Sequence, residues 1–202
     1  SLYKSSELGI VNLDDTITLK EEWLDSAYGE LYKKGAGYQL TLREATKIML
    51  TDSDNTALKA VANYMGDTLK PNEGPFQALD VDYIQNQDLT VSISARSYSS
   101  ILKCLYFSCY LSKEDSQELL TYLSETKYPN RLVAGIDDKD VIVAHKTGNF
   151  GETTQSDCGI IYYPKRNYLL CVMIESADSP EDDKKIAEIS KISYDFIDNL
   201  PK

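Results

Sequence analysis

The feature that most constrains this chain is a change of period near residue 140. Upstream, apolar residues recur at helical spacing. Downstream, residues 141–144, 159–163 and 168–174 form short apolar runs of strand character. Pro164-Lys165-Arg166-Asn167 separates the last two as a hairpin turn would, so three consecutive antiparallel strands are expected. Ser179-Pro180 followed by Glu181, Asp182 and Asp183 then marks a helix start: a cap, a proline in the first turn, and acidic groups at the positive end of the helix dipole. Ile186, Ile189 and Ile192/Ser193 are the expected apolar face of this terminal helix, which would cover the sheet.

The helical part carries its own start and stop signals. Thr41-Leu42-Arg43-Glu44 has the form of a capping box, with a helix running on towards Leu50. Leu58, Val61, Ala62 and Met65 form one stripe after Asp54, and Gly66 stands where a C-terminal glycine belongs. Residues 67–93, rich in Pro, Gly, Asn and Asp, read as a long loop. Ser94 would cap a helix buried through Tyr98, Ile101, Leu102 and Leu105, and Ser112 another buried through Leu119, Leu120 and Leu123. The expected class is α+β, in one domain spanning 1–202. A helical lobe, about residues 1–135, packs against an antiparallel sheet with a covering C-terminal helix, about residues 136–202.

Charge excludes some partners. With 21 Lys plus Arg against 32 Asp plus Glu, the net charge of −11 repels phosphate backbones, so nucleic acid is not an expected partner. No apolar run approaches the roughly 20 residues that cross a bilayer. If the protein is exported, its signal or anchor lies outside this sequence. Cys104, Cys109, Cys158 and Cys171 lack metal-ligand spacing and His145 is the only histidine, so no metal site is expected. The cysteines read as small buried hydrophobes.

Two triplets carry chemistry. Ser53-Asp54-Asn55, between two helices, offers a hydroxyl to relay a proton and an amide to orient a substrate or a lysine; alone it would pass for a cap and turn. Lys146-Thr147-Gly148, expected at the end of a strand, offers a cation for a substrate carboxylate, a hydroxyl, and a glycine that lets a ligand approach the backbone. The order of the triplets, with helices between and a hairpin and helix behind, makes the pair more informative than either alone.

With these motifs the chain resembles the class A β-lactamases and penicillin-binding proteins. The resemblance extends over nearly the whole chain through Leu13-Asp14-Asp15, residues 42–56, residues 91–101, His145-Lys146-Thr147-Gly148 and Asp157-Cys158-Gly159-Ile160-Ile161. It implies that Ser53 passes protons near the leaving group, that Asn55 holds substrate and lysine, and that Lys146 and Thr147, beside Gly148, bind the carboxylate of a β-lactam or peptide. It implies no metal and no organic cofactor.

Two departures shape the expectation. Class A enzymes resemble one another in a loop glutamate, the general base for deacylation, followed by x-x-Leu-Asn. Between Glu44 and Glu114 this chain has only Glu73, followed by Gly74-Pro75-Phe76-Gln77. Asp80, Asp82 and Asp88 read as solvated loop carboxylates. The second departure is the nucleophile motif Ser-x-x-Lys, which Ser1-Leu2-Tyr3-Lys4 fits literally, with Lys4 as base for Ser1. The other reading takes the segment as the exposed end of the nucleophile's helix, with the nucleophile two to three turns upstream; in either case the two usual N-terminal strands are absent. The expected function is a penicillin-interacting serine hydrolase acting outside the cytoplasmic membrane on β-lactams or D-Ala-D-Ala-type cell-wall peptides, slow to deacylate. The alternative is a non-catalytic binding or sensing domain of the same fold.

Overall fold

A computed structural model describes residues 1–66, 73–79, 81–85, 91–150, 153–176 and 179–201. The chain forms two compact units, residues 1–81 with 104–122, and residues 82–103 with 123–202.

The first unit opens with α1 (Leu2–Glu7), then pairs β1 (Thr16–Thr18) antiparallel with β2 (Gln39–Thr41), Ile17 opposite Leu40. The expected capping box is present at α2 (Leu42–Thr51). Thr41 Oγ1 accepts the Glu44 N–H at 3.1 Å, and Glu44 Oε2 accepts the Thr41 N–H at 2.7 Å. α3 (Asn55–Met65) starts on Asp54, whose carboxylate accepts the Ala57 N–H, and ends at Gly66, whose φ of 49° a side chain would resist. Its buried face is Ala57, Ala60, Val61 and Met65; Leu58, expected inside, is 49 % exposed. Together with Leu2, Tyr3, Leu13, Trp23, Leu31 and Leu42, that face forms the core of this unit. At about 1.5–3 kcal/mol per large side chain removed from water, this core is the main term holding α2 against α3.

The stretch expected to be one long loop holds α4 (Glu73–Ala78) and the antiparallel pair β3 (Tyr83–Gln85) and β4 (Val91–Ile93). Elements of three to six residues are too short to leave a period in the sequence. Asp80 and Asp88 lie outside the described residues. α5 (Ala95–Phe107) begins with Ser94 Oγ accepting the Ser97 N–H at 3.1 Å, and α6 (Lys113–Ser124) with Ser112 Oγ accepting the Asp115 N–H at 3.1 Å, both caps as expected.

In the second unit, β5 (Val143–Phe150), β6 (Thr154–Ile161) and β7 (Tyr168–Glu175) form an antiparallel sheet in the order β5-β6-β7. β5 runs beyond the expected strand, so Lys146-Thr147-Gly148 lies within it and not at its end. Continuous pairing with β6, from Val143 opposite Ile161 to Phe150 opposite Thr154, accounts for the extension. α7 (Ser179–Asp198) covers this sheet through Ile186, which packs with Leu132 and Val172. Its buried residues are Asp182, Ile186 and Ser190, whereas Ile189 and Ile192 are 39 % and 69 % exposed. The expected apolar face is rotated because hydrogen bonds seat two polar side chains inward: Ser176 Oγ donates to Asp182 Oδ2 at 2.6 Å, and Ser190 Oγ donates to the Leu132 carbonyl at 2.7 Å.

The four cysteines are not the free buried residues expected but two disulfides, Cys104–Cys109 and Cys158–Cys171. The second joins residues directly opposite each other on β6 and β7. That geometry depends on strand register, which spacing alone does not reveal.

Candidate active site

Ser53, Asn55, Ser1 and Lys4 belong to the first unit, and Lys146, Thr147 and Gly148 to the second.

The Ser-Asp-Asn turn is over-determined by its surroundings. Ser53 has φ 52°, a left-handed conformation uncommon for a residue with a side chain, between the end of α2 and the start of α3. Such backbone persists only where neighbours enforce it. Here the buried Asp54 does so: Oδ1 accepts from the Ala57 N–H and Oδ2 from the Leu31 N–H, both at 2.8 Å. Asn55 N–H donates to the Tyr28 carbonyl at 3.1 Å. Thr56 Oγ1 accepts from the Asp25 N–H at 2.9 Å and donates to the Asp25 carbonyl at 3.2 Å. The turn is thereby bound to residues 25–31, a partner that no motif in the sequence announced.

At Ser1, the backbone carbonyl accepts the Ser5 N–H at 3.0 Å and Ser5 Oγ at 3.1 Å. The Lys4 ammonium donates to Glu7 Oε2 and to the Tyr110 carbonyl, each at 2.8 Å, and lies 5.3 Å from the centre of the Tyr110 ring. These contacts direct Lys4 towards Glu7 and Tyr110.

On β5, Lys146 stands opposite Cys158, which in turn stands opposite Cys171, so the lysine shares a sheet face with the disulfide. Its Nζ donates to the Thr147 carbonyl at 3.0 Å. Burial brings its pKa down to about 8; Asp157 opposes that shift and Arg131 adds to it. A Cβ on Gly148 would sit 2.7 Å from Ser156 Oγ, so a side chain there would require that hydroxyl, which bonds the Gly148 carbonyl at 3.2 Å, to turn away.

Sequence reasoning missed the polar layer that supports this strand. Arg131, 4 % exposed, donates from Nε to Asp183 at 2.5 Å. Its Nη1 donates to the Gly148 and Ser156 carbonyls at 3.1 and 2.7 Å. Its Nη2 donates to Asn149 Oδ1 and Gln155 Oε1 at 2.6 and 2.7 Å. Beside it the buried Asp157 carboxylate accepts the Leu132 N–H at 3.0 Å and meets His145 Nδ1 at 2.9 and 3.0 Å. The only sequence signal was the rarity of Arg and His among apolar neighbours. Among the described residues, no cluster of His, Cys, Asp and Glu suited to a metal is present.

This arrangement places the chain in the structural class of penicillin-binding proteins and β-lactamases. It superposes on PBP-A with a TM-score of 0.87 at 23 % identity, over 98 % of this chain and 77 % of that one. On a β-lactamase of Chitinophaga pinensis the TM-score is 0.84 at 24 % identity, over 97 % and 80 %. The model of the beta-lactamase enzyme family matches residues 1–197, and the chain belongs to that family. A β-lactamase of Proteus vulgaris is 26 % identical across all of this chain and 72 % of its own length, and one of Bacteroides uniformis is 24 % identical across 92 % and 71 %. The α+β fold class and the family resemblance both stand.

Proposed function

We propose that the protein carrying this chain is a serine hydrolase that takes acyl groups from β-lactams or D-Ala-D-Ala-type peptides. The observation that carries the reading is Ser53, held in a left-handed turn by Asp54 between two helices. A hydroxyl fixed in this way is pre-organised to relay a proton, which a mobile turn is not. Lys146, with Thr147 and Gly148, supplies the cation for the substrate carboxylate. Family membership and PBP-A, one form of which was solved as an acyl-enzyme complex with penicillin G, support the β-lactam half of the assignment.

Deacylation is slow on this reading, because Glu73 is the only glutamate between Glu44 and Glu114 and lacks the x-x-Leu-Asn context. The two disulfides support an oxidising, extracytoplasmic setting.

Labelled penicillin and intact-mass measurement test this reading. The expected result is an adduct that persists for many minutes and forms more slowly in Ser53→Ala. Steady-state cephalosporin hydrolysis on the order of 10 per second overturns slow deacylation. Saturable penicillin binding without any adduct favours a binding or sensing domain. An adduct lost in Ser1→Ala with the fold retained assigns Ser1 as nucleophile and Lys4 as its base; an adduct that survives removes both.

A further inference from the structure

Asn55 does not stand alone beside Ser53. Its Nδ2 donates to Asp25 Oδ1 at 3.2 Å. Asp25 is itself pinned on every side: Oδ1 also accepts the Ala27 N–H at 2.9 Å, Oδ2 pairs with Lys59 Nζ at 2.8 Å, and the Asp25 backbone is clasped by Thr56 Oγ1. Lys59 lies one turn along α3 from Asn55. The two residues thus hold the same carboxylate from one helix face.

A carboxylate only accepts hydrogen bonds, so a carboxamide beside it must turn its NH2 inward. The carbonyl oxygen of Asn55 then faces away from Asp25, and among the described residues no donor satisfies it. We infer that Asp25 is a positioning residue that fixes the orientation of the Asn55 carboxamide, its oxygen turned away from Asp25 and its second N–H left over, for ligands or side chains that present an amide or an ammonium to it. This rests on the serine-hydrolase reading only for its ligand; the orientation of Asn55 stands apart from it. Lys59, Ala27 and Asn55 hold the Asp25 carboxyl down at about 2, so the anion, and with it the orientation, persists through all working pH.

Two measurements test the inference. In the ¹⁵N-labelled 202-residue chain, the Asn55 side-chain amide pair is assigned by its loss in Asn55→Ala. One of its protons should exchange about ten-fold more slowly in wild type than in Asp25→Ala, the scale of one net hydrogen bond. Asp25→Asn, which keeps an oxygen acceptor, should restore part of that protection. Equal exchange in wild type and Asp25→Ala overturns the inference.

The second measurement compares second-order acylation by benzylpenicillin, which has an exocyclic amide, with penicillanic acid, which lacks it. Asp25→Ala should cut the preference for the former about ten-fold, whereas a purely structural role would slow both alike. An unchanged preference overturns the specificity role. Failure of wild type to react with either compound overturns the serine-hydrolase reading and the ligand assignment with it, while amide exchange still decides the orientation.

Discussion

Gly29 lies against Asp54 so closely that a Cβ on residue 29 would stand 2.0 Å from Asp54 Oδ2. With φ of 80°, residue 29 is also in a conformation that penalises side chains. Gly29→Ala should therefore displace the carboxylate that clamps the Ser53 turn, at about 3 kcal/mol from backbone strain and a lost buried hydrogen bond. Urea unfolding of wild type and variant measures this. A loss below about 1 kcal/mol would show that the turn does not depend on the contact.

The Lys146 ammonium is expected to shed its proton near pH 8, because burial disfavours its charge. Between about 8 and 10.5, unfolded chains keep a proton that folded chains have lost, so this group's contribution to stability rises with pH across that window and is least favourable below it. Reaction with carboxylate-bearing β-lactams should move the other way, falling as the cation is neutralised. In Lys146→Arg the step near pH 8 should vanish from the pH profile of acylation, since a guanidinium keeps its charge.

Arg131 is expected to be the costliest polar residue to remove from the second unit. Arg131→Met would take one donor each from Asp183, two backbone carbonyls and two side-chain amide oxygens, at about 3–5 kcal/mol. Arg131→Lys should recover only part of this, because an ammonium brings three donors in a different geometry. Denaturant midpoints for both variants test the ranking.

The cysteines should be unreactive towards iodoacetamide in denatured, unreduced protein, and all four should react after reduction. Cys158→Ala with Cys171→Ala should destabilise the chain by about 3 kcal/mol, given the separation of 13 residues between the partners. The pair Cys104 and Cys109, five apart, should matter less.

The sequence spoke clearly wherever structure is made by near neighbours. The capping box at Thr41, the serine caps at positions 94 and 112, and the hairpin about Pro164 are all written within a few residues. It was silent where partners lie far apart in the chain. Arg131 meets Gly148 and Ser156 only once β5 and β6 are paired, and Asp25 reaches Asn55 across 30 positions. The rotation of α7 had the same origin. Apolar periodicity favoured Ile189 and Ile192, but Leu132 and Ser176 supply the hydrogen bonds that turn Ser190 and Asp182 inward. The motif residues were legible as types, and the residues that hold them were not.

The seat of α7 has a consequence for its freedom to move. A Cβ on Gly135 would lie 2.2 Å from the Ala187 carbonyl, so the helix backbone rests directly on the segment that precedes β5. A greasy interface tolerates sliding, because one isoleucine replaces another. This one is indexed: the same Cβ would lie 2.7 Å from Lys191 N and from Ser190 Cβ, and a shift by one turn would take Asp182 away from Ser176 and Ser190 away from the Leu132 carbonyl. α7 therefore has a single parking position on the sheet, and any rearrangement in this unit must lift the helix off whole.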